Sequence, residues 1–366
     1  MRGASTEEGV EILPAFLEWM ETLSKGALSD QDKSAFLELF PRLFELALFA
    51  GPNLHMDRFH DALNSPMGCL AYVLIRFLWK GDRKAGTGIP LDFRAAFDGI
   101  TASDDDLAKY GKSIFASHLP SLFSLDPEWT KDNLIPRFSW ESPDDALMMW
   151  SGYLYSKHIN LELLIQLKMS LIEAVTRSDE WHSQFGDLVD LFVVSCLELG
   201  DCWQDEEIRK VMQSMPTDGL VAAAKTISQL LKGSEDKMGE YWINRVKPFF
   251  TFWPKDREKK TVEVGEKIAE VILSTGDQFP DAMETLHDFV SCGEHPHWLL
   301  LLLKDTAYPE DHPKVTLQFL DRGMPEAKYP EQEFAEILKR IVNKHPSMAD
   351  TEEYKRLDVI RLRMGL

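Results

Sequence analysis

Gly111-Lys112-Ser113 has the residue types that close a phosphate-binding loop, G-x-x-x-x-G-K-[ST]. In that loop open backbone N–H groups cradle the phosphates and the lysine reaches them. The first glycine belongs at residue 106, and Asp106 stands there. A carboxylate facing phosphate, with no hydrophobic strand ahead of it, argues against nucleotide binding. Lys112 reads instead as a solvated helix residue and Gly111 as a local packing concession. Gly86-Thr87-Gly88 opens like a dinucleotide fingerprint, but Leu91 occupies the place of the third glycine. That segment reads as a turn ahead of a helix carrying Phe93 and Phe97, so no cofactor is expected.

Metal chemistry has three starting points. Cys292, Glu294, His295 and His297 lie within CGEHPH and have ligand-type side chains. Zinc needs ligands that converge tetrahedrally, and neighbours on one turn rarely do so. The expectation is a helix-to-helix turn, with Pro296 starting the next helix and Trp298 anchoring it. His55 and His60 in HMDRFH are five apart, which puts them on different faces of a helix. Asp104-Asp105-Asp106 reads as a helix start, where the dipole favours carboxylates. No Ser sits in a G-x-S-x-G elbow and no Cys beside an obvious His. The expected catalytic, cofactor and metal sets are therefore all empty.

The elements that would have to position any chemistry are helical. Across 30–50, Phe36, Leu39, Phe40, Leu43, Leu46 and Ala47 recur at intervals of three and four, one buried stripe of a helix. Leu161, Leu164, Ile165, Leu167, Leu171 and Ile172 repeat the pattern. So do Leu188, Leu191, Phe192, Ser195 and Cys196, and later Phe334, Ile337, Leu338 and Ile341. Asp126-Pro127-Glu128 and Ser142-Pro143-Asp144-Asp145 place a capping oxygen before Pro at the first helical position. Ser65-Pro66 reads the same way. Phe279-Pro280, His295-Pro296, His312-Pro313 and Tyr329-Pro330 are weaker starts, and Gly51, Gly81, Gly233 and Gly323 fall where helices should stop. Alternation of period two is nearly absent. The fold expected is all-α, an irregular stack of helical hairpins, either a HEAT-like solenoid or a helical bundle. It is read as one continuous domain, 1–366, with joints near 81–88 and 254–260.

Composition narrows the function classes. Hydrophobic residues are 44% of the 366, with ten Trp and 21 Phe to wedge helix against helix. A net charge of -20 repels phosphate backbones, so nucleic acid is not an expected partner. The one basic cluster, Lys255, Arg257, Lys259 and Lys260, is interrupted by Asp256 and Glu258. Four scattered cysteines form no secreted scaffold, and the longest apolar run, 298–303, is too short to span a membrane. A cytoplasmic protein with no membrane partner is the expectation.

One stretch is more specific. Ser117-His118-Leu119, Leu125-Asp126-Pro127-Glu128-Trp129-Thr130 and Leu134-Ile135-Pro136-Arg137-Phe138-Ser139-Trp140 follow each other, then Ala146, Trp150-Ser151-Gly152-Tyr153-Leu154 and Leu167-Lys168. Upstream stands Ala62-Leu63-Asn64-Ser65-Pro66-Met67-Gly68. This pattern, over roughly 63–173, resembles the helical C-terminal region of bacterial sirtuin-like proteins associated with defence against phage. The resemblance implies an all-helical module that accompanies an N-terminal NAD-consuming domain. No family catalytic residue maps onto a position here. In purely physical terms Trp129, Trp140 and Trp150 are spaced to wedge helices, and Gly152 permits close approach.

The function expected is a non-catalytic helical scaffold or sensor in bacterial antiphage defence. Its partner would be a protein, either an effector domain that it restrains or activates or a phage component. The alternatives are an enzyme with an unrecognised site, nuclease or NAD-consuming, and a helical-repeat nucleic-acid binder.

Overall fold

The computed structural model describes residues 6–26, 29–50, 58–156, 158–329 and 331–366. Its chain divides into two compact units, Met1–Ala174 and Val175–Leu366. The segment 81–88 falls inside the first and 254–260 inside the second, so neither expected joint is where the division lies. The division falls in the last turn of a helix, Leu161–Thr176, whose apolar stripe gives no local sign of a boundary. Every described element is helical, and no strand occurs among the described residues. The all-α expectation holds.

The first unit contains α1 (Thr6–Lys25), α2 (Asp30–Phe49), α3 (Arg58–Asn64), α4 (Pro66–Leu78), α5 (Leu91–Ala102), α6 (Ala108–Ser117), α7 (Leu119–Leu125), α8 (Pro127–Asn133), α9 (Pro143–Ser156) and most of α10 (Leu161–Thr176). It is organised around α6, which packs on α3, α4, α5 and α9. Every α6 residue from Tyr110 to Ala116 is buried. A helix apolar all round belongs in a core, and here even Lys112 goes in. Close crossings make this possible. A Cβ on Gly152 would lie 2.1 Å from the Ser113 carbonyl oxygen, and one on Gly111 2.9 Å from Ile100 Cγ2. The expected packing roles of both glycines hold.

Trp129, Trp140 and Trp150 are all core residues, as their spacing suggests. Trp150 meets Phe138 and Tyr153 edge-on, at 5.0 and 5.9 Å. The Ser65 and Asp126 caps form as expected. Ser65 Oγ accepts from Gly68 N at 2.9 Å, and Asp126 Oδ1 from Trp129 N at 3.1 Å. Two prolines depart from the helix-start rule: Pro14 lies within α1 and Pro41 within α2.

The second unit contains α11 (Phe185–Glu198), α12 (Asp205–Ser214), α13 (Thr217–Gly233), α14 (Met238–Tyr241), α15 (Lys247–Phe249), α16 (Val262–Leu273), α17 (Phe279–Leu286), α18 (His297–Lys304), α19 (Tyr308–Asp311), α20 (Pro313–Gly323), α21 (Gln332–Lys344) and α22 (Glu352–Arg363). Its packing is serial. Helix α11 lies on α13, α13 on α16, α16 on α18, and α18 on α21. Each helix buries its stripe on the next, which is how a stack grows without one common core. Phe334, Ile337, Leu338 and Ile341 form the buried stripe of α21, and Leu188, Leu191, Phe192, Ser195 and Cys196 that of α11.

Candidate functional site

The phosphate-loop candidate is dismantled by its burial. Lys112 is only 3% exposed, so the solvated reading of it is wrong. Its Nζ donates to the Ser103 carbonyl at 2.7 Å and lies 4.0 Å from an Asp145 carboxylate oxygen. Ser113 Oγ donates to the Met148 carbonyl at 2.8 Å. Lysine and serine tie α6 to its neighbours, with no open backbone between them. Burial lowers the Lys112 pKa, and Asp145 offsets that only in part. Asp104-Asp105-Asp106 lies just ahead of α6 rather than in its first turn. There Asp105 Oδ1 accepts from Leu107 N at 2.9 Å, and Asp104 stands 3.9 Å from Arg137.

Gly86 and Gly88 form a turn before α5, as expected, with φ of +73° and +79°. Their N–H groups donate to the Ser124 and Leu125 carbonyls at 2.8 and 2.9 Å. The next donor, Ile89 N, is taken by Asp126 Oδ2 at 2.9 Å, and Arg94 pairs with the same oxygen at 2.7 Å. The N–H groups of this turn therefore serve the fold. His55 and Asp57 lie outside the described residues, and His60 is exposed on α3.

The CGEHPH segment is different: its residues part company. Cys292 is 1% exposed, and burial pushes its thiol up to about 12, which suits packing rather than nucleophilic attack. Two backbone bonds tie down the loop before α18: Cys292 N to Gly323 O at 3.0 Å holds it to the end of α20, and Lys328 N to Glu294 O at 3.2 Å to the segment before α21. Glu294 pairs with Lys328, whose ammonium holds that carboxyl below its usual range. His295 stacks on Tyr329, with ring centroids 4.5 Å apart and planes 14° from parallel. Trp298 is 58% exposed, so it does not anchor α18 as expected; Leu299, Leu300 and Leu303 do.

His297 is carried the other way, to the start of α21. Its Nδ1 lies 2.9 Å from Glu331 Oε2 and 3.9 Å from Glu333 Oε2. Around the Glu294–Lys328 pair an open groove of about 840 Å³ is lined also by Glu263, Glu266 and His295. Burial raises the Glu266 pKa against the opposing pull of Lys267. Glu331 and Glu333 were not singled out in the sequence. The only local sign was the Tyr329-Pro330 helix start, and pairing across 34 residues leaves no local signature.

Chemistry elsewhere is muted. Cys69 is pushed up to about 11 by burial, with Glu21 adding to it. Lys259 donates to the Met215 carbonyl at 2.7 Å and Lys260 sits 4.6 Å from the Phe289 ring centroid, so half of the basic cluster is engaged locally. No described helix is long and apolar enough to cross a membrane. Comparison with protein-family models, curated proteins and solved structures finds no match.

Proposed function

We propose that the chain is a helical scaffold that binds another protein, and that α1 is the surface it uses. The observation that carries this is a second apolar stripe on α1. Leu13, Leu17 and Met20 are buried against the rest of the unit. Ile12, Phe16, Trp19 and Leu23, spaced four, three and four, form a neighbouring stripe turned outward. Ile12 is 50% exposed, Trp19 54% and Leu23 36%. Phe16 and Trp19 support each other, with ring centroids 5.6 Å apart. Apolar side chains aligned along one exposed helix face are the pattern of helix-in-groove recognition. Isolated exposed apolar residues, such as Leu91, need no such reading.

Charge describes the partner. Glu8, Glu11 and Glu18 follow one edge of the exposed stripe, and the whole chain carries -20. The fitting occupant is a protein with an apolar groove edged by Lys and Arg, drawn in by long-range attraction. The resemblance of 63–173 to the helical region of sirtuin-like defence proteins sets the biological frame. In that frame the partner is an effector domain held in check or a phage component, met in the cytoplasm.

Photo-crosslinking from position 19 in cells tests this, with position 91 as the isolated-apolar control. The expected result is one discrete adduct from 19, absent from 91, whose purified protein binds at least tenfold more weakly to Trp19→Glu. Equal labelling from both positions, or binding indifferent to Trp19→Glu, would overturn the docking surface. Incubation with NAD and with nucleic acids addresses the catalytic alternative. Turnover that disappears in Glu266→Gln would replace the scaffold reading with an enzyme centred on the groove.

A further inference from the structure

We infer that His297, Glu331 and Glu333 form a binding site for a first-row divalent metal ion of the zinc type. The three side chains each present one ligand atom, and these atoms all lie within 4.8 Å of one another. The two distances from the imidazole Nδ1 are 2.9 and 3.9 Å. Zinc bonds to nitrogen and carboxylate oxygen are about 2.0–2.2 Å long, which in a tetrahedron puts ligand atoms roughly 3.3 Å apart. The observed separations bracket that value. Side-chain rotation alone could close the trio around an ion.

The placement of the ligands argues for a built arrangement. His297 opens α18, Glu331 immediately precedes α21, and Glu333 lies in the first turn of α21. Helices α18 and α21 pack on each other, so the ligands ride on supported backbone.

Charge balance points the same way. The Glu331 and Glu333 side chains are only 18% and 19% exposed, so two like charges share a largely covered corner. His297 is the cationic-type group near them, and an imidazole carries charge only when protonated. Lys304 is also in the neighbourhood, but its ammonium is engaged by Glu336 at 2.7 Å. A divalent cation would neutralise both carboxylates at once and use the imidazole lone pair as the third ligand.

The donor set selects the ion. Calcium requires six to eight oxygens, and magnesium prefers near-octahedral oxygen with several waters. One imidazole with two carboxylates suits zinc, cobalt or manganese, with water completing the shell. Three protein ligands leave one coordination position open. The site would then clamp α18 to α21 and could still accept a small anionic or neutral ligand. Neither property depends on whether α1 docks a protein.

Cobalt(II) titration of the tag-free full chain is the direct test, read by visible d–d absorption and by competition with zinc. The expected result is one ion per chain, with intense tetrahedral-type bands that zinc abolishes. His297→Ala and Glu333→Gln should each weaken binding at least tenfold. His297 is more than half exposed and Glu333→Gln keeps the side chain's shape, so both variants should melt like the parent without metal. Zinc should raise the melting temperature of the parent and leave His297→Ala unmoved. Absence of a saturable cobalt spectrum, or binding that survives His297→Ala, would show that the trio is a hydrogen-bonded cluster and nothing more.

Discussion

Trp150 shows how one side chain can hold a unit together. It is fully buried, meets Phe138 and Tyr153 edge-on, and its Nε1 donates to Ser170 Oγ at 3.3 Å. Trp150→Ala should destabilise the fold by about 3–5 kcal/mol, because no neighbour can close a cavity of that size. Urea denaturation would read the loss, and a change under 1 kcal/mol would mean that the ring contributes little to the core. Lys112 makes the opposite point. Its type suggested the surface, yet the packing of α6 on α3, α4, α5 and α9 drags it inside, where Ser103 O and Asp145 receive the ammonium. Replacing a whole buried ion pair by apolar groups is often neutral, but removing one partner strands the other; without the ammonium, Asp145 keeps Arg137 at 3.6 Å while Ser103 O loses its donor. Lys112→Met should therefore lose about 1–3 kcal/mol, and Lys112→Ala, which also leaves a hole, about 2–3 kcal/mol more. Equal losses in both would show that the ammonium's bonds outweigh the methylenes.

At the scale of helices, the crossing of α6 and α9 rests on an absent methyl. A Cβ at Gly152 would sit 2.1 Å from a carbonyl oxygen of rigid helix backbone, so Gly152→Ala must push the pair apart. A loss of about 2–3 kcal/mol is expected, in the range of other overpacked cores. Gly99, inside α5, has nothing within 4 Å of a built Cβ, and Gly99→Ala should instead gain about 0.5–1 kcal/mol. Melting both variants side by side separates packing from propensity; a gain at Gly152 would contradict the crossing. These elements were legible beforehand because a 3.6-residue period writes burial into the sequence locally. The stripe of α2 and the caps at Ser65 and Asp126 follow from neighbours a few residues away. Errors came where burial depends on a distant partner. Ile165 was placed in the stripe of α10 but is 49% exposed, and Leu163, passed over, is buried. Trp298 faces outward because Leu299, Leu300 and Leu303 already fill the contact of α18. The meeting of His297 with Glu331 and Glu333 depends on two loops joined by a backbone bond, which no spacing rule encodes.

For the molecule as a whole, two electrostatic effects of opposite sign meet as the solution is acidified. With a net charge of -20 and a pI near 4.9, the folded chain repels itself at neutral pH. Protonating carboxylates on the way to pH 5 relieves that repulsion and favours folding. His118, at the junction of α6 and α7, acts the other way. Burial lowers its pKa from the ordinary 6.5. Above 6.5 the ring is neutral in both the folded and unfolded chain and contributes nothing to the pH dependence. Below 6.5 the unfolded chain takes up the proton first, so stability falls until the folded value is passed. Salt separates the two effects, since a Debye length of about 3 Å at 1 M screens surface repulsion but hardly touches the desolvation of a covered ring. In 1 M salt the parent should therefore lose stability relative to His118→Gln as the pH drops from 7.5 to 5.5, with the two parallel above 6.5. Chemical denaturation across that range reads the difference. A constant gap throughout would place the His118 ring in water, and would put the close packing of the α6–α7 corner in question.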